Sequence, residues 1–333
     1  MRARKDRTAR KEIRRIDFML MGIDIGGTKC AVVVGDENGR VLKKERFATT
    51  TCKETLENIF AAAEKLFSPE VSAIGISCGG PLDEKEGVIL SPPNLPGWDN
   101  IPIVSMLKER FGVPCAICND ANAGALAEWK FGAGKGCENL VFMTFGTGLG
   151  AGLILNGALY SGSCGMAGEV GHMRLSDFGP SGYGKCGSFE GFCSGSGLYE
   201  LGRGKAREYL QRGEKPTFIK DKDPSAFTVA EMAAAARTGD SCAKEVFDIC
   251  AEKLGQGLSI LCDLLNPEKI LIGSVFERCR DLLEEGALRV MRREVHPFTM
   301  AHVTLDVPAL TESIGDMAAL AVAMYTLERT KKQ

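Results

Sequence analysis

Asp120 follows Asn119 where an apolar strand, Val113 to Cys118, gives way to a helix running from Ala121 to Phe131. A carboxylate beyond the carboxyl end of a strand faces the crevice where α/β proteins bind ligands. There it can take a proton from a substrate hydroxyl. The competing use is an N-cap for the helix, and position alone favours the cap. Glu169, His172 and Glu190 form a second set, the first two lying three apart in Gly168-Glu169-Val170-Gly171-His172. Carboxylates and one imidazole among glycines suit hydrogen bonding to vicinal sugar hydroxyls. The plain alternative is a structural histidine and acidic residues on a solvated loop.

The third set is an anion site. Gly22-Ile23-Asp24-Ile25-Gly26-Gly27-Thr28-Lys29 reads as a strand entering a glycine turn, followed by the strand Cys30 to Val34. Gly26 and Gly27 let backbone N–H groups approach an anion, Thr28 adds a hydroxyl and Lys29 a cation. Asp24 can orient a hydrated Mg²⁺. A Gly-Gly hairpin with a polar tip is the simpler reading. Val141 to Asn156-Gly157 repeats the plan about 120 residues later, with Thr144, Gly146, Thr147 and Gly148 at the turn, which predicts two similar α/β halves. Other nucleotide motifs fit less well. Gly134-Lys135 is followed by Gly136, so it is no Walker A loop. Gly146 to Ala151 matches a loose dinucleotide pattern, but strand and turn follow it where a helix is required.

These groups need elements to hold them. Strands are expected at Val41 to Thr50, Val71 to Ser77 and Lys269 to Gly273. Helices are expected at Thr55 to Phe67, at Leu198 to Arg212, and at Thr228 to Arg237 behind a Thr228/Glu231 capping box. A further helix runs from an Asp240 cap to about Leu265, and a last one starts near Gly315. The strand ends place Gly79, Asn94 and Asp120 along one crevice.

A chain of 333 residues with 44% hydrophobic content has room for two domains. The net charge of −2 implies no general attraction to nucleic acid, and no apolar run is long enough for a membrane span. The first eighteen residues carry a local +5, read as a disordered basic extension. Thirteen cysteines, odd in number and evenly spread, fit buried hydrophobes in a reducing, cytoplasmic setting. Cys115 and Cys118 sit three apart on a strand and point to opposite faces, which suits packing rather than a shared metal.

Five segments together resemble the ROK family (repressors, open reading frames, kinases) within the actin/hexokinase ATPase superfamily: Asp24 to Lys29, Asn94-Leu95-Pro96-Gly97-Trp98, Asn119-Asp120-Ala121-Asn122, Gly146 to Gly150, and Glu169-Val170-Gly171-His172. The resemblance covers Met21 to about Leu327. It implies an α/β fold of two ribonuclease H-like (actin-like ATPase) domains around a cleft. The expected division is a small domain over 19–125, with the helix 314–330 packing back on it, and a large domain over 126–313. It implies a glucokinase-like enzyme using ATP and Mg²⁺ on the 6-hydroxyl of a hexose, glucose first, N-acetylmannosamine, N-acetylglucosamine or fructose as alternatives. A non-catalytic sugar-sensing regulator is the reading from another class. Asp120 is the implied general base. Asp24, Gly26, Gly27, Thr28, Lys29, Thr144, Gly146, Thr147, Gly148 and Gly273 are implied at the nucleotide. Gly79, Asn94, Asn119, Asp120, Glu169, His172 and Glu190 are implied at the sugar, and a homodimer is the implied assembly.

Two departures stand out. The family usually carries CxCGxxGCxE soon after the Gly-His pair, binding zinc through three cysteines and the histidine. Here Gly184 to Glu190 keeps only Cys186 at a ligand position. Four ligands are needed for structural zinc, so no protein-bound zinc is expected. Packing of Phe189 and Phe192 is expected to hold the loop instead. Gly273-Ser274-Val275 also replaces a run of three glycines near the nucleoside.

Overall fold

The computed structural model describes residues 18–331. The basic extension expected over 1–18 lies, but for Phe18, outside the described residues. The first sheet contains β1 (Met19–Ile25), β2 (Lys29–Asp36), β3 (Val41–Ala48), β4 (Val71–Cys78) and β5 (Cys115–Cys118), in the order β3-β2-β1-β4-β5. The second contains β6 (Leu140–Phe145), β7 (Leu149–Leu155), β8 (Ala158–Leu159), β9 (Lys269–Ile272) and β10 (Thr304–Asp306), in the order β8-β7-β6-β9-β10. Both sheets therefore run third, second, first, fourth, fifth. In each, the first three strands are antiparallel and the last two join in parallel. The repeat seen in the two glycine hairpins is a repeat of topology.

Eight longer helices accompany them among the described residues: α1 (Cys52–Leu66), α2 (Ile103–Phe111), α3 (Asp120–Phe131), α4 (Gly195–Gln211), α5 (Val229–Thr238), α6 (Ser241–Leu265), α7 (Arg280–Glu294) and α8 (Ile314–Thr330). The expected caps form. Thr228 and Glu231 make a capping box before α5, and the Asp240 carboxylate accepts from the Ala243 amide at 2.9 Å before α6. Sequence reasoning left 275–313 unassigned and so missed α7, which packs along α6, and the edge strand β10.

β1 and β4 are largely apolar because both faces are covered. One face looks into a core with Ile59, Trp98 and Leu107; α8 lies on the other. Gly75 permits that close approach: a Cβ there would overlap the backbone at Ala319 and Ala323. Cys115 belongs to the first of these cores and Cys118 to the cluster shared by α3 and α8, so the two thiols do face opposite sides. No helix among the described residues is long and apolar enough to cross a membrane.

Candidate active site

The turn between β1 and β2 closes on itself through Gly26 N–H to Lys29 O (3.1 Å). It is braced by the Thr49 hydroxyl donating to Gly26 O at 2.6 Å. Gly27, Thr28 and Lys29 stay exposed. A Cβ on Gly27 would sit 2.6 Å from Asn94 O, so the hairpin tip rests on the loop expected to hold the sugar. That loop is anchored by buried Leu95 and Trp98, while Asn94 itself is exposed.

Asp24 ends β1 half-buried, with Oδ2 against Gly315 at the start of α8. Next in the chain, Asp316 holds Lys44 at 2.5 Å. Burial, and then the Asp316 charge, push the Asp24 carboxyl up to about 6; Lys29 and Lys44 pull it back, and Asp120 adds to the rise. A carboxyl raised in this way gains when a cation arrives, which fits a hydrated Mg²⁺ beside it. Asp316 was not singled out from the sequence, and Gly315 was marked only as the start of the last helix. They lie some 290 residues from Asp24, and only the fold brings them together.

Asn119, not Asp120, is the N-cap of α3: its Oδ1 accepts from the Asn122 amide at 2.8 Å. This releases Asp120 from the capping role that position alone favoured. One Asp120 oxygen accepts from the Ala121 amide at 2.9 Å, and the residue is exposed beyond the carboxyl end of β5. The surrounding protein still keeps bulk solvent from solvating the charge, and this desolvation raises the carboxyl above its ordinary value, against the pull of the backbone amides. Glu84 steadies the corner. Its Oε1 accepts from Asn119 N (2.9 Å) and from Asn122 Nδ2 (3.0 Å). No spacing signal pointed to Glu84, because the contact spans 35 residues.

In the second hairpin, Gly146 N–H donates to Gly148 O at 3.0 Å. The Thr144 hydroxyl staples the two strands, accepting from Gly150 N at 3.2 Å and lying 3.3 Å from Gly150 O. The first turn of α4 docks here, with Gly195 N–H on Gly146 O (2.7 Å) and the Ser196 hydroxyl on Thr147 O (2.9 Å). An open cleft of about 670 Å³ follows, lined among others by Gly146, Thr147, Ser196, Ser274 and Arg278. Gly273 follows β9, donates to Met143 O and precedes Ser274 of this cleft. Ser274, where the sequence departs from a run of glycines, has φ of 63°, a conformation that glycine adopts more readily.

The Glu190 carboxylate accepts from Leu149 N at 3.0 Å. A Cβ on Gly171 would overlap Leu149 O and lie 3.1 Å from Glu190 Cβ, so the Glu169–His172 turn and Glu190 flank one hairpin. Glu169 and His172 are 3.9 Å apart and roughly half exposed, and Tyr183 stands edge-on to the imidazole at 5.0 Å. Gly79 follows β4, with open space where a Cβ would be. Cys186 is exposed and donates to Gly179 O, whereas Cys193 is fully buried with its sulfur 3.9 Å from that of Cys250. The two thiols thus lie in different surroundings, and among the described residues no three His, Cys, Asp or Glu converge as metal ligands. Phe189 is buried against Gly257 of α6, and Phe192 packs under Gly179.

Known proteins resemble this chain in sequence and fold. A glucokinase of Streptomyces coelicolor is 33% identical over 278 residues, covering 83% of this chain and 87% of that protein. A xylose repressor of Caldicellulosiruptor bescii is 27% identical over 92% of this chain and 78% of its own length. The crystal structure of a ROK family glucokinase from Streptomyces griseus, in complex with glucose and AMPPNP, superposes with a TM-score of 0.70 at 30% identity. It covers 92% of this chain and 99% of that one. The family model for ROK matches residues 20–325, nearly the whole described chain, and the chain belongs to the ROK family.

Proposed function

We propose that this chain is an ATP-dependent sugar kinase acting on the 6-hydroxyl of a hexose, glucose first. The observation that carries the reading is the Asp120 carboxylate, relieved of capping by Asn119 and exposed beyond the carboxyl end of a strand. The kinase relatives support it, as does the nucleotide and glucose content of the S. griseus structure. The lobes are taken as 19–125 with helix 314–330, and 126–313.

In this reading the sugar is held by Asn94, Asn119, Glu169, His172 and Glu190, with Gly79 leaving room for it. Asp120 takes the proton of the 6-hydroxyl as that oxygen attacks the γ-phosphorus in line. The bond from phosphorus to the ADP oxygen breaks, and ADP leaves with that oxygen. The Gly26–Lys29 and Gly146–Gly148 turns orient the phosphates, with Thr144 setting the second turn and Gly273 bordering the nucleoside cleft. Asp24 orients the metal's water shell; bound Mg²⁺ supplies neutralisation of the phosphate charge. Closure of the lobes would keep water from competing with the sugar.

The repressor relative favours a second reading, a sugar sensor without turnover. A coupled ADP-release assay with MgATP over hexoses and N-acetylhexosamines separates the two. Sugar-dependent turnover, reduced roughly 10²-fold or more in Asp120→Asn with sugar binding retained, supports the kinase. Sugar binding without turnover establishes the sensor. Light scattering on the same sample tests the homodimer.

A further inference from the structure

Away from the cleft, a second cavity of about 560 Å³ opens where the far ends of α3 and α8 meet the Gly157–Leu159 turn. Trp129 and Tyr325 stand edge to face in its wall, ring centroids 6.3 Å apart. Lys130 lies 3.9 Å over the Trp129 ring and pairs with Glu328 at 2.7 Å. Arg329 lies 5.8 Å over the Tyr325 ring, is exposed, and pairs with no carboxylate among the described residues. The Tyr325 hydroxyl accepts from Leu159 N at 3.1 Å, which leaves its own proton to donate. The wall is therefore aromatic and rich in donors. Its complement is a small anion on a planar body: ring against Trp129 and Tyr325, anionic oxygens on Arg329 and Tyr325.

The position of the cavity gives it a consequence. α3 begins at Asp120 and reaches the cavity at Trp129, nine residues or about 14 Å along its axis. α8 passes Asp316, beside Asp24, and reaches the cavity at Tyr325, again nine residues or about 14 Å on. The helices share a core of Ala123, Leu126, Ala127, Ala318, Ala321 and Val322, and Lys130–Glu328 ties their far ends. A close-packed pair of this kind moves as a body rather than deforming locally, so a ligand wedged at one end is felt at the other.

We propose that this cavity is an effector site for a small organic anion with an aromatic or planar body, and that its occupation alters turnover by moving α3 and α8 together. The effect on turnover rests on the kinase reading; binding does not. The chain has two tryptophans, Trp98 fully buried and Trp129 in the cavity wall, so tryptophan emission reports occupation. The probe is phenyl phosphate, titrated with MgAMPPNP present throughout. We expect a saturable change in emission that Trp129→Phe abolishes. Arg329→Gln should weaken binding roughly tenfold, as should replacing the probe by inorganic phosphate or by benzyl alcohol. No saturable change, equal affinity in Arg329→Gln, or competition with AMPPNP overturns the site. In the sugar assay, phenyl phosphate should change kcat or sugar KM by about twofold or more in the wild type and not in Arg329→Gln, whose basal turnover is normal. Binding without that change overturns the regulatory half. Absence of any turnover would defeat the kinase reading and leave the binding titration to decide the cavity.

Discussion

The Glu190 carboxylate accepts the Leu149 amide at 3.0 Å, so a residue of the candidate sugar pocket is tied to the β6–β7 hairpin. Gly148 makes the space for it: a Cβ there would lie 2.7 Å from Glu190 Oε2. In the proposed kinase, the sugar and nucleotide sides would share this joint.

Gly148→Ala should therefore disturb both. The added methyl pushes Glu190 off the Leu149 amide, and sugar KM should rise roughly tenfold, with a smaller rise for ATP. Initial rates against each substrate test this. Unchanged constants for both would mean that Glu190 does not position the sugar.

Asp120 must be ionised to act as a base, and desolvation raises its carboxyl. Activity should fall on the acid side through a midpoint above the ordinary carboxylate value of 3.8, not at it. The check is a profile of kcat/KM against pH. In Glu84→Gln, where the Asn119–Asp120 corner is held less firmly, kcat should fall more than sugar affinity.

Asp24 carries a stability cost of opposite sign to the usual carboxylate. Its carboxyl rises from 3.8 to about 6, so between those values the folded chain holds a proton that the unfolded chain has lost. Its contribution to stability falls as pH rises across that window and is fully unfavourable above it. Asp24→Asn, measured by urea unfolding in chelator, should be the more stable protein at about pH 7 by on the order of 2 kcal/mol, the gain vanishing near pH 4. Equal midpoints at both pH values would show that Asp24 is not strained in the folded state.

Glu128 on α3 is fully buried and accepts three backbone amides: Ala133 at 2.8 Å, Ala309 at 3.1 Å and Leu310 at 2.9 Å. It ties α3 to the segment leading into α8. Glu128→Ala leaves all three amides without a partner and should cost about 3 kcal/mol or more in a chemical denaturation experiment. A loss below about 1 kcal/mol would mean that water replaces the carboxylate.

What the chain determined by itself is local. Both glycine hairpins, the Thr228/Glu231 box, the Asp240 cap and the five family segments are patterns within a few residues, and the fold class and family followed from them. The repeated topology of the two sheets was foreshadowed by the repeated hairpins. What only tertiary structure decided are relations across long separations: Glu84 with Asn119, Glu190 with Leu149, Asp316 beside Asp24, and Glu128 with Leu310. Even Asp120 was open to a capping role until Asn119 was seen to take the cap. Capping and periodicity are encoded by neighbours, whereas the desolvation and charge that tune a carboxylate come from whatever the fold packs against it.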